Sequence, residues 1–372
     1  MFVQNIEGIA GSEKYFWQLL PALKSSNIEV EFLCVHKKKY THISIEFAQE
    51  LKDKNIAVHF IETSSYTNPL LLFKIRSIVK NAKFDILHSH LIYADFWSAI
   101  LKSFFRLNII TVSTLHGYEE DIYTRFCLEP KLVPKNRYYR VARFSYRRID
   151  HVYACSHGLK NFFDQINIRT KKTIEVIHHG FDYPEIKSIE KKPEQFICSI
   201  IGRLIPRKGH EFVLKNCKRL IEQIPGFHLI IVGDGPLQLS LQEYVKNEQL
   251  ENFVTFTGKV EDARNYMLQS EIVLVPSYAE GLPLVIFEAM SVSKPVITFD
   301  TIGPAEVVLN NETGFLIEPF NDELFCDKII SLSRDNEKRN ELGINAKKIV
   351  LQKFSLNKMT NDTIRFYQTV LK

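Results

Sequence analysis

The 372-residue sequence lacks several patterns by which common protein classes are recognised. Its six cysteines are scattered and form no C-x-x-C pair, which argues against a cysteine metal site and favours reduced structural thiols. No run of about 18 apolar residues occurs, so the sequence predicts no transmembrane helix. The opening residues, MFVQNIEGIAGSEKY, lack the basic start and long apolar run of a secretory signal. We therefore expect a cytoplasmic protein.

Two further features limit the possible functions. The full G-x-G-x-x-G fingerprint occurs nowhere, which argues against an enzyme that uses a nicotinamide cofactor. The net charge of +5 is too small to argue for nucleic-acid binding, although it suits an acidic small-molecule substrate or contact with an anionic membrane. The 45% hydrophobic and 24% charged residues that are present provide enough apolar material for two globular cores.

Short runs of β-branched and aromatic residues alternate with amphipathic stretches along the whole chain. In the first half the predicted strands are Ile28–Val35, Ile56–Ile61, Phe84–His88, Ile109–Leu115, His151–Ala154 and Thr173–Ile177. In the second half they are Phe196–Ile201, Phe227–Val232, Phe253–Phe256, Ile272–Val275, Val296–Phe299 and Gly314–Ile317. Helical patterns such as Pro69–Ala82 and Tyr93–Phe105 fill the gaps. This alternation predicts an α/β protein with doubly wound parallel sheets covered on both faces.

The chain divides at PEIKSIEKKPEQ, a charged segment bracketed by prolines, which predicts a linker over residues 184–195. We therefore predict Rossmann-like domains over residues 1–183 and 196–353, with ligands bound beyond the carboxyl ends of the strands in a central cleft. Residues 337–372 look helical with a break near Phe354–Ser355, and we expect residues 354–372 to return to the first domain. The first strand candidate, MFV, is short, which leaves open a weak first strand or a chain start further upstream.

Two basic residues follow the strand QFICSIIG in the turn RLIPRKG. Arg203 and Lys208 would lie at the mouth of a parallel sheet, where charge-assisted hydrogen bonds suit a diphosphate. Taken alone, the turn fits a solvated basic loop equally well. The next glycine turn, in LIIVGDGP, is expected to be structural.

The stretch YAEGLPLVIFEAM (Tyr278–Met290) places carboxylates around a predicted anion site. Pro283 suits the first position of a helix, because its missing N–H costs nothing there. The amides that follow would then be free to bind phosphate oxygens, namely those of Leu284, Val285 and Ile286. Glu280 precedes this site and Glu288 lies beside it, and carboxylates suit hydroxyl groups rather than phosphate. The pattern predicts a nucleotide sugar, with its sugar on Glu280 and its ribose on Glu288.

Two glutamates at this spacing, preceded by G-R-L-x-x-x-K-G and V-G-D-G-P, resemble the retaining glycosyltransferases of family 4, which have the two-domain GT-B fold. The resemblance covers nearly the whole chain, and VPSYAEGLPLVIFEAM is its most specific part. VIHHGFD (Val176–Asp182) resembles the family's turn between domains, although the family more often has Asn where His179 stands.

The resemblance implies a role for each matched position. Arg203 and Lys208 would neutralise the donor diphosphate, Glu280 and the adjacent Gly281 would bind the donor sugar, and Glu288 would bind the ribose. The amides of Leu284 and Val285 would contact the phosphates. The nucleobase would lie against a short segment formed by Gly258, Lys259 and Val260.

The resemblance also implies roles in the first domain, which would hold the acceptor. GIAGSEKY resembles the family's glycine-rich first loop, in which Gly11 would approach the phosphates. STLHGY places His116 at a strand end, where the family uses a histidine beside the donor sugar.

The reaction implied is transfer of a hexosyl or N-acetylhexosaminyl group with retained anomeric configuration, by front-face attack. UDP is favoured over GDP as the commoner donor nucleotide, and a glycan or lipid-linked acceptor in bacterial surface polysaccharide or lipopolysaccharide biosynthesis is expected. A nucleotide-sugar epimerase of the same fold and a non-catalytic bilobed sugar-binding protein are the alternatives. The sequence contains no D-x-D metal motif, and helix amides with Arg203 and Lys208 can supply positive charge instead. No cofactor or metal is therefore expected.

A basic stretch in the first half leaves two interpretations open. Four arginines fall on one face of a helix predicted to start near Pro134, namely Arg137, Arg140, Arg143 and Arg147. Tyr138, Val141 and Phe144 form a neighbouring apolar face, with Tyr146 and Ile149 further round. The helix suits either an anionic membrane surface on the inner face of the plasma membrane, or simple packing on its own sheet.

Three other polar residues are interpreted as structural. His88 and His90 are predicted to be structural or acceptor-cleft histidines rather than metal ligands, because two histidines at one strand end are too few for a metal site. Ser156 is predicted to cap a helix.

Metal independence can be tested directly. We expect full sugar-transfer activity in excess EDTA, because the protein's own cations and helix amides replace the metal at the leaving diphosphate. Strict restoration of activity by manganese after chelation would contradict the prediction.

Overall fold

The structure is a computed structural model that describes residues 1–4, 11–105, 107–118, 137–186 and 194–372. Its described residues form two compact units. The first contains the N-terminal part of the chain up to Asp182 together with Phe354–Lys372, and the second contains Tyr183–Lys353. The predicted linker lies largely outside the described residues, since only its first three and last two residues are described.

The first unit is built on a seven-stranded sheet in which every strand pair is parallel. Its strands are β1 (Phe2–Gln4), β2 (Glu31–Lys37), β3 (Ala57–Thr63), β4 (Ile86–His90), β5 (Ile110–Leu115), β6 (His151–Ala154) and β7 (Glu175–Val176). The order across the sheet is β3-β2-β1-β4-β5-β6-β7. The short β1 is therefore a central strand, and the chain switches direction across the sheet between β1 and β4.

The second unit is built on a six-stranded parallel sheet. Its strands are β8 (Phe196–Ile201), β9 (Phe227–Val232), β10 (Val254–Gly258), β11 (Ile272–Val275), β12 (Val296–Phe299) and β13 (Gly314–Ile317). The order is β10-β9-β8-β11-β12-β13. Strands β8 and β11 are adjacent although far apart in sequence, so they form the switch point at which ligands of open α/β sheets bind.

Helices connect the strands in both units. In chain order they are α1 (Gly11–Ser25), α2 (Thr41–Asp53), α3 (Leu70–Asn81), α4 (Ile92–Phe104), α5 (Arg137–Tyr146), α6 (His157–Gln165), α7 (His210–Gln223), α8 (Gln238–Asn247), α9 (Arg264–Gln269), α10 (Leu284–Ser291), α11 (Pro304–Val307), α12 (Asp322–Arg334), α13 (Asn336–Lys353) and α14 (Leu356–Val370). All four residues of both β11 and β12 are buried, as expected for parallel strands covered by helices on both faces. The predicted α/β fold class is confirmed.

The C-terminal helical region breaks where the sequence predicted a break. Helix α13 ends at Lys353, and the Ser355 side chain caps α14 by accepting a hydrogen bond from the Lys358 amide. Phe181 and Ser355 form an isolated parallel bridge, and the Phe181 amide donates to the Phe354 carbonyl at 3.0 Å. Helix α14 packs against α1 within the first unit.

The described cysteines are all buried and free of disulfides, namely Cys34, Cys155, Cys198, Cys217 and Cys326. Cys127 lies outside the described residues. Among the helices of the described ranges, none combines the length and apolar character needed to cross a bilayer.

The start predicted for helix α5 near Pro134 lies outside the described residues, and the apolar face predicted for it is buried only in part. Tyr146 and Ile149 are buried as predicted, whereas Tyr138, Val141 and Phe144 are only half-buried and the helix also buries Tyr139, which the prediction left out. The reason is packing against α4, which fixes the rotation of a helix that carries aromatic residues on several sides.

Candidate functional site

The loop after β8 carries the two basic residues predicted to bind phosphate. Arg203 is exposed, and it makes no ion pair with any residue in the described ranges. Lys208 ends a short 3-10 turn, Pro206–Lys208, and its side chain is 16% exposed. Gly209 follows in the left-handed conformation with φ of 71°, and a Cβ there would overlap the Pro276 carbonyl oxygen. Only glycine therefore lets this loop contact the chain just beyond β11.

The glycine turn after β9 supports the same loop. The Leu204 amide donates to the Asp234 carbonyl at 2.7 Å, and a Cβ on Gly233 would overlap the Gly202 carbonyl. The turn therefore has the structural role that the sequence predicted, because it fixes the loop that carries Arg203.

The loop after β11 brings Glu280 to Lys208. The Lys208 ammonium donates to the Glu280 carboxylate in an ion pair that is largely buried, and the Tyr278 amide donates to the Arg207 carbonyl at 2.8 Å. Burial alone would raise the pKa of Glu280, but the charges of Lys208 and Arg207, with hydrogen bonds from Lys208 and Ser277, outweigh it and hold the pKa below its ordinary value. Glu280 is therefore a carboxylate at neutral pH.

Helix α10 begins one residue later than predicted. Pro283 has extended backbone angles, with φ of −80° and ψ of 111°, and occupies the position before the helix. The amides of Leu284 and Val285 make no hydrogen bond to the described residues, as expected for the first turn of a helix. The Ile286 amide donates to the Pro283 carbonyl at 3.1 Å, so the expectation that it would be free is wrong.

Glu288 lies in the second turn of α10 and is 8% exposed. The sequence did not predict its neighbours. The Arg264 guanidinium donates to both carboxylate oxygens of Asp262, and it also donates to the Pro184 carbonyl at 3.0 Å. Burial, followed by the charge of Glu288, raises the pKa of Tyr183 well above its usual range, and Asp262 foremost, with a smaller contribution from Glu288, raises the pKa of Arg264. No motif marked Arg264 or Tyr183, because only the folded sheet edge relates them to Glu288.

The segment predicted to contact the base ends the strand next to β9. Gly258 has φ of 70°, and its carbonyl accepts the Gly233 amide at 2.9 Å. Lys259 is exposed, whereas Val260 packs against the buried Ile197–Ile230–Val232 cluster. Val260 therefore anchors the segment to the core through a partly buried side chain.

The remaining predicted site residues belong to the first unit. Gly11 begins α1, and the loop before it lies outside the described residues. His116 follows β5, and its two ring nitrogens contact two other histidines, His90 Nδ1 at 2.8 Å and His179 Nε2 at 3.2 Å. Burial lowers the pKa of His116 to about 4, so the ring is neutral at pH 7.

The structure also locates the polar residues that the sequence set aside. Ser156 caps α6 by accepting the Leu159 amide at 3.1 Å, which confirms that prediction. His88 is buried between Tyr367 and Thr114, whose hydroxyls lie 2.6 and 2.7 Å from its ring nitrogens. Arg143 on α5 is half-buried, whereas Arg137 and Arg140 on α5 and Arg147 just after its end are exposed.

The predicted residues of the second unit therefore share one edge of its sheet. Arg203 and Lys208 follow β8, Glu280, Gly281 and the start of α10 follow the adjacent β11, and the turn after β9 supports them. Two buried carboxylates and two cations at a switch point can bind a ligand that combines negative charge with hydroxyl groups.

Solved structures show the same architecture. HepE of Anabaena in complex with UDP-glucose superposes on this chain with a TM-score of 0.78 at 21% identity, over 99% of both chains. The sucrose-phosphate synthase of Thermosynechococcus elongatus superposes with a TM-score of 0.80 at 19% identity, over 99% of this chain and 98% of that one. The fold is that of the GT-B glycosyltransferases, as predicted.

Two family models match consecutive parts of the sequence. Glycosyltransferase Family 4 matches residues 9–183, and Glycosyl transferases group 1 matches residues 182–349. The chain therefore belongs to the glycosyltransferases that these two models together describe. N-acetyl-alpha-D-glucosaminyl L-malate synthase of Bacillus anthracis is similar to it, with 27% identity over 338 residues that cover 86% of this chain and 85% of that protein.

The ion pair predicts a pH-dependent cost of removing Lys208. Lys208→Met leaves a buried carboxylate without its cation, so the free energy of unfolding at pH 7 should fall by about 3 kcal/mol. Because the folded pKa of Glu280 is lowered, the stabilisation is present above the unfolded carboxyl pKa of about 4.3 and is lost as the pH falls through the folded value. Urea unfolding at a series of pH values should show the deficit shrinking in acid.

Two controls accompany this measurement. Adding Glu280→Gln to Lys208→Met removes both charges and should recover most of the deficit. Lys215→Met, at an exposed position on α7, should change stability by no more than about 0.5 kcal/mol. A double variant as unstable at pH 7 as the single variant would contradict the account.

Proposed function

We propose that this glycosyltransferase binds a nucleotide-diphosphate sugar at the carboxyl edge of its second sheet. The observation that carries the proposal is the buried Lys208–Glu280 ion pair beside the start of α10. Lys208, the exposed Arg203 and the amides of Leu284 and Val285 provide positive charge and donors for a diphosphate.

The two carboxylates bind different parts of the donor on either side of the diphosphate. Glu280 binds hydroxyls of the transferred sugar, with Gly281 in the same loop, and Glu288 binds the ribose. Gly258 and Lys259 lie against the nucleobase, while Val260 fixes that segment in the core. Arg264 and Tyr183 keep Glu288 in a polar setting although it is nearly buried.

A UDP-sugar is the proposed donor. The structure of HepE is a complex with UDP-glucose, and a similar protein of Escherichia coli is named UDP-Gal:alpha-D-GlcNAc-diphosphoundecaprenol alpha-1,3-galactosyltransferase. That relative is 24% identical to this chain, over 96% of this chain and 93% of that protein. The transferred group is a hexose or an N-acetylhexosamine.

Ligand binding must change the partner of Lys208. The Lys208 ammonium is paired with Glu280, and a diphosphate offers it a second, more strongly charged partner. When Lys208 also binds the diphosphate, the Glu280 carboxylate can accept hydrogen bonds from sugar hydroxyls. Lys208, Arg203 and the helix amides then stabilise the leaving diphosphate without a divalent metal, and the reaction proceeds with retention through front-face attack.

His116 and Gly11 keep the roles that the family resemblance implies. His116 acts on the sugar side of the donor, and Gly11 lets the start of α1 approach the phosphates.

The proposed acceptor is a glycan or a lipid-linked sugar in bacterial surface polysaccharide biosynthesis. The E. coli relative, whose name includes a diphosphoundecaprenol, supports this class. The two exposed arginines of α5, together with Arg147 just after its end, suit contact with a lipid pyrophosphate or an anionic membrane surface. Because Tyr139 and Tyr146 are buried within the first unit, such contact would rest on charge rather than on insertion of an apolar face.

A nucleotide-sugar panel tests this function. The protein is incubated with UDP- and GDP-sugars and lipid-linked acceptors, and free nucleotide and glycosylated acceptor are measured. Glu280→Gln and Lys208→Ala should each lose about a hundredfold or more in rate, since each removes a charged contact to the donor. Lys215→Ala, on the exposed side of α7, is the matched control.

The outcome separates transfer from its alternatives. Free UDP in step with glycosylated acceptor is expected. Conversion of a nucleotide sugar to its epimer without nucleotide release would establish the epimerase alternative. Binding of free sugar with no turnover of any donor would establish a sugar-binding protein.

A further inference from the structure

Helix α3 of the first unit exposes two large apolar side chains in its first turn. Its inner face is formed by Leu71, Ile75 and Val79, which are buried in the core of that unit. Leu70 and Phe73 lie on another side of the helix, and their exposed fractions are 63% and 60%. Neither side chain belongs to the apolar cluster on which α3 packs. Core packing therefore does not explain why these two positions are apolar.

The first turn of α3 lies at the carboxyl edge of the first unit's sheet. The helix follows β3 after the loop 64–69, and β3 pairs in parallel with β2 so that Lys37 lies opposite Thr63. The loops after these two strands therefore leave the sheet side by side. Lys37 Nζ lies 5.3 Å from the centroid of the Tyr66 ring, and the Trp97 indole donates to the Tyr66 carbonyl at 2.9 Å. These contacts hold the loop before α3 against the end of β2 and against α4.

The same edge is strongly basic. Residues 37–40 contain three lysines, residues 64–81 contain two lysines and an arginine, and neither segment contains a carboxylate. Lys38, Lys39 and Lys74 are exposed. Lys38 and Lys74 make no ion pair with any residue that the structure describes. Their positive charge is therefore available to an anionic partner.

The exposed apolar side chains and the lysines together form one surface, which we call the edge patch. It consists of Leu70, Phe73, Lys37, Lys38, Lys39 and Lys74. Lysines bind headgroup phosphates, and Leu and Phe side chains enter the boundary between headgroups and acyl chains, so this combination suits an anionic bilayer. A second copy of the chain suits it less well, because a two-fold contact would place the same lysines opposite each other.

We propose that the edge patch docks the protein on an anionic phospholipid bilayer, with Leu70 and Phe73 inserted below the headgroups and the lysines bound to headgroup phosphates. The edge patch is distinct from the arginines in and just after α5, and it adds exposed apolar side chains to the charge. The inference deepens the proposed function and rests on it for the acceptor class. Ligands of parallel α/β sheets bind at the carboxyl edge, so docking brings this edge of the acceptor-binding unit to the membrane that holds a lipid-linked acceptor.

Flotation of the full chain with vesicles that contain neither donor nor acceptor tests the docking. We expect binding to an equal mixture of phosphatidylglycerol and phosphatidylcholine, little binding to phosphatidylcholine alone, and release as the salt concentration rises. Leu70→Ser combined with Phe73→Ser should weaken binding about tenfold or more, because the inserted apolar area is lost. Lys38→Gln, Lys39→Gln and Lys74→Gln together should weaken it about a hundredfold, since each lysine near the surface contributes about fivefold. Equal binding to both kinds of vesicle, or to neither, would overturn the proposal.

Two control variants match these changes. Phe104→Ser removes an aromatic side chain that is 67% exposed at the end of α4, which leads into β5 and so lies towards the amino edge of the same sheet. This variant should bind vesicles like the wild type. Arg137→Gln, Arg140→Gln and Arg147→Gln together alter the other basic surface and should keep most of the binding. If the arginine variant loses binding while both edge-patch variants keep it, the protein docks through α5 and the proposal is wrong.

Tryptophan fluorescence tests the insertion at a single position. Phe73→Trp should shift its emission to shorter wavelength on anionic vesicles and should be quenched by lipids brominated in their acyl chains. Phe104→Trp should change no more than the wild type, whose own tryptophans are Trp17 and Trp97. Equal responses of the two variants would contradict insertion at α3.

Two further outcomes are decisive. A dimer in sedimentation that Leu70→Ser with Phe73→Ser abolishes, without any vesicle binding, would assign the face to a second copy and overturn the proposal. Vesicle binding needs no reaction, so its failure is distinguishable from failure of the proposed function. A protein that transfers sugar to a soluble acceptor but binds no vesicles refutes the docking alone, whereas one that binds vesicles through the edge patch but transfers no sugar supports the docking and refutes the transfer.

Discussion

The ion pair between Lys208 and Glu280 is the interaction on which the candidate site depends. It joins the loops that follow β8 and β11, two strands that are adjacent only because the chain switches direction across the sheet there. Gly209 permits the close approach of these loops, and the turn at Gly233 supports them from the other side. The ion pair holds a cation and a carboxylate next to each other in a largely buried setting of low dielectric constant. A charged ligand can compete there with Glu280 for Lys208, and with Lys208 for Glu280.

Much of this could be predicted from the sequence, because the relevant signals are local. Strands such as Ile272–Val275 are short apolar runs bounded by polar residues, and their limits were predicted to the residue. Ser156 and the break before Ser355 follow from capping chemistry. The family resemblance added the fold, and the comparisons confirmed it. The roles of the individual site residues stay predictions.

What could not be predicted depends on contacts between distant segments. The apolar face of α5 was assigned only in part, because Tyr138 and Tyr139 are equally apolar in sequence and only packing on α4 buries the second. Arg264 lies near Glu288 only in the folded sheet edge. His90, His116 and His179 come from three separate segments, so no common motif marked them in the sequence. The contacts of both ring nitrogens of His116 with the other two histidines could therefore not be predicted.

The central claim is that a diphosphate binds at the edge marked by Lys208. Calorimetric titration of the wild type and Lys208→Ala with UDP and with uridine, which share the base and ribose, tests it most directly. The account predicts that UDP binds the wild type at least about a hundredfold more tightly than uridine, and that Lys208→Ala removes most of this difference while uridine affinity is kept. Equal affinities of UDP and uridine for the wild type, or an unchanged difference in the variant, would contradict it.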